Sequence, residues 1–246
     1  LGVFLADSGE PDASPKAIDA ARAFLSRFPN SEPEPSVRMK LGELLFLNGD
    51  YASARVELES LARKFPGSDF EVSALFLAAQ AASRIPDPAA TADAMVLFEE
   101  VAARDGSFSS RARLEQAAIL TSQGKPLEAN LVIDKVLSSS PDHVMKATAL
   151  IEKGKNFYTL GAQDPANYKL AIEVWKQVAS EEVSDPAWRN QALTRIGTAF
   201  EKSGDDNAAV ASYYEVFKPN SAPPAEFFWF YKAGFAAGRI FEFQQK

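Results

Sequence analysis

The 246-residue sequence contains no cysteine and only one histidine, His143. The absence of cysteine excludes disulfides, thiolate nucleophiles, iron–sulfur clusters and cysteine-ligated zinc sites. A single histidine excludes every metal site that needs two or more imidazoles, and it argues against a histidine-based catalytic triad. We therefore predict neither a metal ion nor a cofactor, and this composition points away from an enzyme.

The chain also lacks an excess of positive charge and any long apolar run. Its 26 lysines and arginines against 33 aspartates and glutamates give a net charge of −7, whereas nucleic-acid-binding domains carry a basic excess that neutralises phosphates. The longest strongly apolar runs are about six residues, as in residues 74–79, and a membrane-spanning helix needs about 20. The sequence thus predicts no nucleic-acid partner and no transmembrane segment.

Catalytic motifs are missing as well, since neither G-x-G-x-x-G nor G-x-x-x-x-G-K-[ST] occurs. Adjacent carboxylates such as Glu99 and Glu100 point about 100° apart on a helix, so they do not form the converging acid–base pair of a glycosidase. His143 follows Asp142 at a predicted helix start, and we interpret it as an exposed or capping-turn residue. We assign no catalytic residue, although the sequence leaves open whether distant carboxylates converge in space.

Helical periodicity dominates the sequence, whereas strand signals are poor. Alternating segments are short, and alanine, leucine, glutamate, lysine and arginine fill the long segments. Residues 35–68 form a clear helix–turn–helix unit, in which Ala54 and Leu58 share one face of the second helix. Gly49 supplies a left-handed turn residue between the two helices.

The same pattern recurs along the chain. A small residue early in each second helix is followed four residues later by another residue on the same face, which is large in five of the six units. One helix pair cannot bury its apolar face alone, so pairs stack into a continuous core. The small residues are Ala17, Ala54, Ala94, Ala129, Ala171 and Ala209, in steps of 37, 40, 35, 42 and 38 residues. The predicted turn glycines are Gly9, Gly49, Gly124, Gly161 and Gly204.

The unit at residues 35–68 resembles a tetratricopeptide repeat (TPR). This resemblance extends over essentially the whole chain and implies an all-α fold, a right-handed α-solenoid of stacked antiparallel helix pairs, or TPR-like superhelix. We predict residues 1–246 to be a single solenoid of about six and a half repeats, a fragment truncated within a repeat at both ends. The residues at family spacing are Gly42, Gly49, Tyr51, Ala54, Leu58 and Pro66.

Two repeat ends resemble those of bacterial envelope TPR proteins, a group that includes outer-membrane assembly lipoproteins and periplasmic proteins that bind the TolA system. They are residues 27–31 (RFPNS) and residues 64–68 (KFPGS). This resemblance favours the bacterial periplasm or cell envelope over the cytoplasm. The sequence starts at Leu1 without a recognisable signal peptide, so it does not fix the compartment.

Binding residues are expected on the concave side, which the first helices line in stacked helix pairs. A mixture of charged residues with occasional apolar anchors on this side suits a peptide or protein segment. The carboxylate clamp of some TPR domains is not expected, because Met39, Glu43 and Phe76 stand where parts of that clamp belong. The predicted concave-face residues are Met39, Lys40, Glu43, Phe76, Arg111, Glu115, Glu152, Lys155, Tyr158, Arg195 and Lys202.

The last predicted helix is apolar around its whole circumference, because five consecutive aromatic residues, 227–231, cannot share one stripe of a helix. The preceding repeat covers one side, so the other side should expose an apolar patch or contact another chain. A cut repeat and a natural interface both remain open as explanations. The predicted interface residues are Phe228, Trp229, Tyr231 and Phe235.

Together these features predict a non-catalytic protein–protein interaction scaffold that binds a peptide or protein partner, with possible self-association through the C-terminal helix. The alternative is a regulatory or recognition module of a larger enzyme whose catalytic domain lies outside this chain. A lipoprotein or secretion signal in the full-length sequence would favour an envelope scaffold, and an appended catalytic domain would favour the alternative.

Overall fold

A computed structural model describes residues 13–104, 106–180, 186–217 and 227–244. This part of the chain contains twelve α-helices and no strand, which confirms the all-α prediction. None of these helices combines the length and the apolar character that crossing a bilayer requires. The helices are α1 (Ala13–Arg27), α2 (Glu34–Leu47), α3 (Tyr51–Lys64), α4 (Glu71–Arg84), α5 (Pro88–Ala102), α6 (Ser107–Ser122), α7 (Pro126–Ser138), α8 (His143–Leu160), α9 (Ala166–Ser180), α10 (Pro186–Lys202), α11 (Asp206–Glu215) and α12 (Phe228–Gln244).

The chain divides into two compact units, Leu1–Ile119 and Leu120–Lys246. Within each unit a helix packs chiefly against its neighbours in sequence, so that α3 contacts α2 and α4, and α9 contacts α8 and α10. Alternate helices also meet, α2 with α4 in the first unit and α8 with α10 in the second. This is the contact pattern of stacked helical hairpins. A single solenoid over residues 1–246 stays a prediction.

The six predicted alanine positions are all buried, with at most 1% of the residue exposed. A residue four positions further lies on the same helix face one turn later, and in five of the six units that residue is buried too. The exception is Ala21, which is only half-buried. The five buried large residues are Leu58, Phe98, Ile133, Trp175 and Tyr213.

Three of these large side chains lie directly on the backbone of the first helix, over a glycine. A Cβ atom at Gly154 would stand 2.2 Å from Nε1 of Trp175, so no other residue fits there without moving the indole. We call these positions glycine seats; they are Gly42 under Leu58, Gly154 under Trp175, and Gly197 under Tyr213.

The turns inside three hairpins share one hydrogen-bond pattern. Gly49, Gly124 and Gly204 have φ angles of 81°, 74° and 79°, the left-handed conformation that the sequence predicted. The N–H of the following residue donates to a carbonyl five positions back, as from Asp50 to Leu45 at 3.0 Å. This pattern satisfies the carbonyls at the end of the first helix in the manner of a Schellman turn.

Two local predictions are corrected by the structure. Gly161 is not a left-handed turn residue, because its φ is −57°. A glycine is required at position 161 for a different reason, because an added Cβ atom would lie 2.3 Å from the ring of Tyr168. The Ser14-Pro15 pair is a sequence pattern that predicts a helix start at Pro15, but α1 begins at Ala13 and already contains Ser14. The predicted turn at Gly9 lies outside the described residues.

A buried glutamate, Glu34, ties together the ends of the hairpin formed by α2 and α3. Its Oε2 accepts a hydrogen bond from the backbone N–H of Asn30 at 2.7 Å, while Nζ of Lys64 and Nε of Arg38 donate to Oε1 at 2.7 and 2.8 Å. Lys64 is the largest cause that lowers the pKa of Glu34 from 4.5 to about 2, and Arg38 and the Asn30 N–H add to it. We call this arrangement the glutamate clasp.

The glutamate clasp is repeated in the next hairpin, 37 residues later. Glu71 accepts from the backbone N–H of Gly67 and from Nη1 of Arg104, which lies just past the end of α5. The Gly67 N–H is the first cause of the lowered pKa of Glu71, and Arg104 is the second. The equivalence supports the reading of these helices as repeated units.

Candidate partner-binding site

In the first unit, most predicted concave-face residues already make contacts within the protein. Lys40 and Glu43 approach each other at 3.7 Å, and Glu115 accepts a hydrogen bond from Gln80 at 2.8 Å. Phe76 packs against two phenylalanines of the core, with ring centres 5.1 and 5.8 Å apart. The other two predicted residues of this unit are Met39, packed against the core, and Arg111, which is exposed.

In the second unit, a pocket of about 230 Å³ lies among residues of α8, α9, α10 and α12. It brings together two predicted concave-face residues, Tyr158 and Arg195, with a residue that was predicted for the C-terminal interface, Trp229. We call it the aromatic–cation pocket. It is lined by Tyr158, Trp175, Thr194, Arg195, Thr198, Trp229 and Lys232.

Cation–π contacts organise this pocket. The guanidinium carbon of Arg195 lies 5.1 Å from the ring centre of Trp229 and 5.9 Å from that of Trp175. Nζ of Lys232 is also 5.1 Å from the centre of Trp229 and 5.6 Å from that of Phe228. Such contacts attract a cation to the negative face of the ring. Trp229 therefore holds both positive charges beside the pocket.

Burial perturbs the two titratable groups that the sequence predicted here. Burial lowers the pKa of Arg195 below its usual value, an effect that Glu152 and Tyr158 oppose. Burial also raises the pKa of Tyr158, together with the nearby Tyr168 and Glu201. Tyr158 packs at 6.1 Å from Trp175 between ring centres. At neutral pH the tyrosine is thus a neutral wall of the pocket and the arginine a partly desolvated cation.

The other predicted residues of the second unit lie outside the pocket lining. Glu152 and Lys155 pair with each other at 2.6 Å on α8. Lys202 is the exposed last residue of α10. Among the described residues, no group of three or more histidine, aspartate or glutamate side chains could hold a metal ion.

Sequence reasoning missed Lys232 as a pocket residue and assigned Trp175 to the core alone. A signal for Lys232 was present, because Arg195 and Lys232 each lie two residues before the glycine of their first helix, Gly197 and Gly234. These two side chains hold equivalent positions on successive first helices, which places them on one side of a helical stack. Trp175 is core and pocket wall at once, since it is 1% exposed yet borders the cavity.

The C-terminal helix α12 has one covered side and one exposed side. Ala233, Ala237 and Ile240 are buried in a core that they share with Tyr213 and Val216 of the preceding hairpin. The exposed side carries large aromatic residues and also the small Gly238, where an added Cβ atom would meet no other atom within 4 Å. Three of the four predicted interface residues lie there, Phe228, Tyr231 and Phe235, at 56%, 60% and 80% exposure.

Comparison with known proteins agrees with the fold of stacked helical hairpins. Residues 7–69 match the family model of the tetratricopeptide repeat, which is 63 of the 246 residues. The structure is similar to that of MamA, at 17% identity and a TM-score of 0.57 over 87% of this chain and 97% of that one. No curated protein matches the chain in sequence.

Two further solved structures show the same likeness. BtubC from P. vanneervenii has 16% identity and a TM-score of 0.54 over 87% of this chain and 94% of that one. The TPR-like repeats of a putative kinesin light chain from Podosopora anserina have 14% identity and a TM-score of 0.57 over 76% and 95%. At these identities the likeness defines the fold alone, which is a TPR-like helical solenoid. The narrower resemblance to bacterial envelope TPR proteins is not confirmed.

Proposed function

We propose that this protein is a non-catalytic scaffold that binds a segment of a protein partner on the side formed by its first helices, with the aromatic–cation pocket as the main anchor point. The observation that carries the proposal is the convergence of Tyr158, Arg195 and Lys232 around Trp229, from three successive first helices. Aromatic and arginine side chains in partly desolvated pockets dominate the energetics of many protein interfaces. A location in the bacterial envelope stays a prediction.

Site-specific photo-crosslinking in the native cell tests this proposal. A photoreactive phenylalanine analogue replaces Tyr158 in one variant and Leu131 in the other; Leu131 lies on a second helix and is 66% exposed. We expect a partner protein to crosslink through position 158 and not through position 131. Crosslinking of the same proteins at both positions, or none at position 158, would contradict the proposed site.

We also propose that the exposed side of α12 mediates self-association. Its large residues, Tyr231 and Phe235, lie on the same exposed side as the small Gly238, so two copies of the helix can interlock large against small. Light scattering on the wild type and on the double variant Tyr231→Ser, Phe235→Ser tests this. A dimer that the double variant loses supports the interface, and a monomeric wild type at high concentration rules it out.

A further inference from the structure

The two cations of the aromatic–cation pocket have no carboxylate partner among the described residues. The contacts of Arg195 are the faces of Trp175 and Trp229, and those of Lys232 are the faces of Phe228 and Trp229. Nε of Arg195 is shielded from solvent and makes no hydrogen bond. A buried charged donor without an acceptor is costly. Glu152 acts on Arg195 only from beyond salt-bridge distance, so the fold maintains here a positive charge that it compensates only in part.

A groove along α3 in the first unit shows the opposite arrangement. It has a volume of about 740 Å³, and each of its three cations is paired within the protein. Arg55 and Arg63 both bind Glu59 at 2.6 Å, and Lys64 binds Glu34 at 2.7 Å. The positive charges of that groove therefore form ion pairs within the protein, whereas those of the aromatic–cation pocket remain available to a ligand.

The free hydrogen-bonding groups of the pocket select for an acceptor that carries negative charge. The hydroxyls of Thr194 and Thr198 already donate to backbone carbonyls at 2.7 and 3.0 Å. The donors left include the hydroxyl of Tyr158 and the charged groups of Arg195 and Lys232. Hydrogen bonds between charged donors and a carboxylate are about twice as strong as neutral ones. The pocket is also smaller than the roughly 300–1,000 Å³ of small-molecule sites, so it suits a single side chain.

We infer that the aromatic–cation pocket binds the carboxylate of an aspartate or glutamate side chain within the partner segment. The inference rests on the proposed function and names the chemistry of its anchor. The carboxylate accepts from the guanidinium of Arg195 and lies beside the ammonium of Lys232. The methylene groups of the acidic residue pack against the aromatic walls of the pocket, Tyr158 and Trp229.

Selection from a random-peptide display library tests the inference on the full chain. The peptides are displayed through their carboxyl ends, so that no free terminal carboxylate is present. We expect peptides selected on the wild type to share aspartate or glutamate at one position. This preference should disappear with Lys232→Met, an exposed change that leaves the core intact, and with Arg195→Met. Arg189→Met is the matched control on the same helix, because Arg189 binds Glu215 outside the pocket, and it should keep the preference.

Synthetic amidated peptides then measure the carboxylate directly. Replacing the selected glutamate by glutamine should weaken binding to the wild type about tenfold or more, and binding to the Lys232→Met protein by much less. Peptides that depend on Tyr158 and Trp229 but show no acidic preference would overturn the carboxylate inference and keep the proposed site. A further peptide, with glutamine in place of the selected glutamate and a free carboxyl terminus in place of the amide, is the control. If it binds the wild type as tightly as the selected peptide, the side-chain assignment is overturned. Selection of no peptide that depends on Tyr158 or Trp229 would overturn the site itself.

Discussion

Replacing Glu34 by glutamine removes the charge of the glutamate clasp and keeps its shape. Contacts with Lys64, Arg38 and the Asn30 N–H lower the pKa of Glu34 from 4.5 to about 2. One pKa unit corresponds to about 1.4 kcal/mol, so the shift sets an upper limit of about 3 kcal/mol. The Lys64 side chain is 36% exposed, and solvent screens its attraction. We therefore expect Glu34→Gln to lower the free energy of unfolding by about 1–2 kcal/mol at neutral pH.

The pH dependence of this loss of unfolding free energy distinguishes an effect of the Glu34 charge from an effect of packing. The pKa of Glu34 is lower in the folded protein, so its stabilisation is fully present above about pH 4.5 and is lost as the pH falls towards 2. Urea unfolding followed by circular dichroism measures the difference between wild type and Glu34→Gln, which should shrink across that interval.

Glu57→Gln is the matched control for the clasp. Glu57 accepts a single hydrogen bond from Arg38 at 2.7 Å and is more exposed than Glu34, so its loss should cost about 0.2–1 kcal/mol. Equal costs for the two variants, or a cost of Glu34→Gln that stays constant down to pH 2, would refute the assignment of the clasp as a charge-dependent contact.

Three further changes test the hairpin packing by thermal unfolding. Gly154→Ala should cost about 1–3 kcal/mol, because its Cβ would overlap the ring of Trp175, whereas Gly238→Ala should gain about 0.5–1 kcal/mol in an open stretch of helix; equal effects would contradict the glycine seat. Ala129→Leu should lower the melting temperature through overpacking of a site that is 0% exposed, and an unchanged value would show that the repeat register is wrong there. Tyr213→Phe should cost about 0.5–1.5 kcal/mol, since its hydroxyl donates to a neighbouring carboxylate, and no loss would show that this bond does not stabilise the fold.

The hairpin pattern could be predicted because each signal lies within one helix or one tight turn. The step from Ala54 to Leu58 defines a helix face whatever surrounds it. Gly49 between two helical runs predicts a left-handed turn for the same local reason. Gly161 looked identical in sequence, but its role is to admit the ring of Tyr168. Local patterns do not separate a glycine that a turn requires from one that a neighbouring side chain requires.

Contacts between helices limited what the sequence could predict of the site. The sequence offers Trp229 as a residue of a possible C-terminal interface, but it does not predict the contact of Trp229 with Arg195 of the preceding hairpin. The clasp is similar, because Lys64 reaches Glu34 across 30 residues. The sequence shows which residues are present. It does not show the side-chain geometry that places one cation in a salt bridge with a carboxylate and leaves another without one.

The glycine seats also limit which helices can exchange partners while the chain folds. Chains built from similar hairpins risk joining a second helix to the wrong first helix. Here Trp175 is held over Gly154 by a hydrogen bond to the carbonyl of Ile151 at 3.2 Å, and Tyr213 over Gly197 by its hydroxyl contact with Glu201. An indole and a phenol differ in size and in the position of their polar atom. Pairing a first helix with the wrong second helix would therefore leave a void or an unsatisfied hydrogen-bond donor. The glycine seats thus favour the correct helix pair in each hairpin.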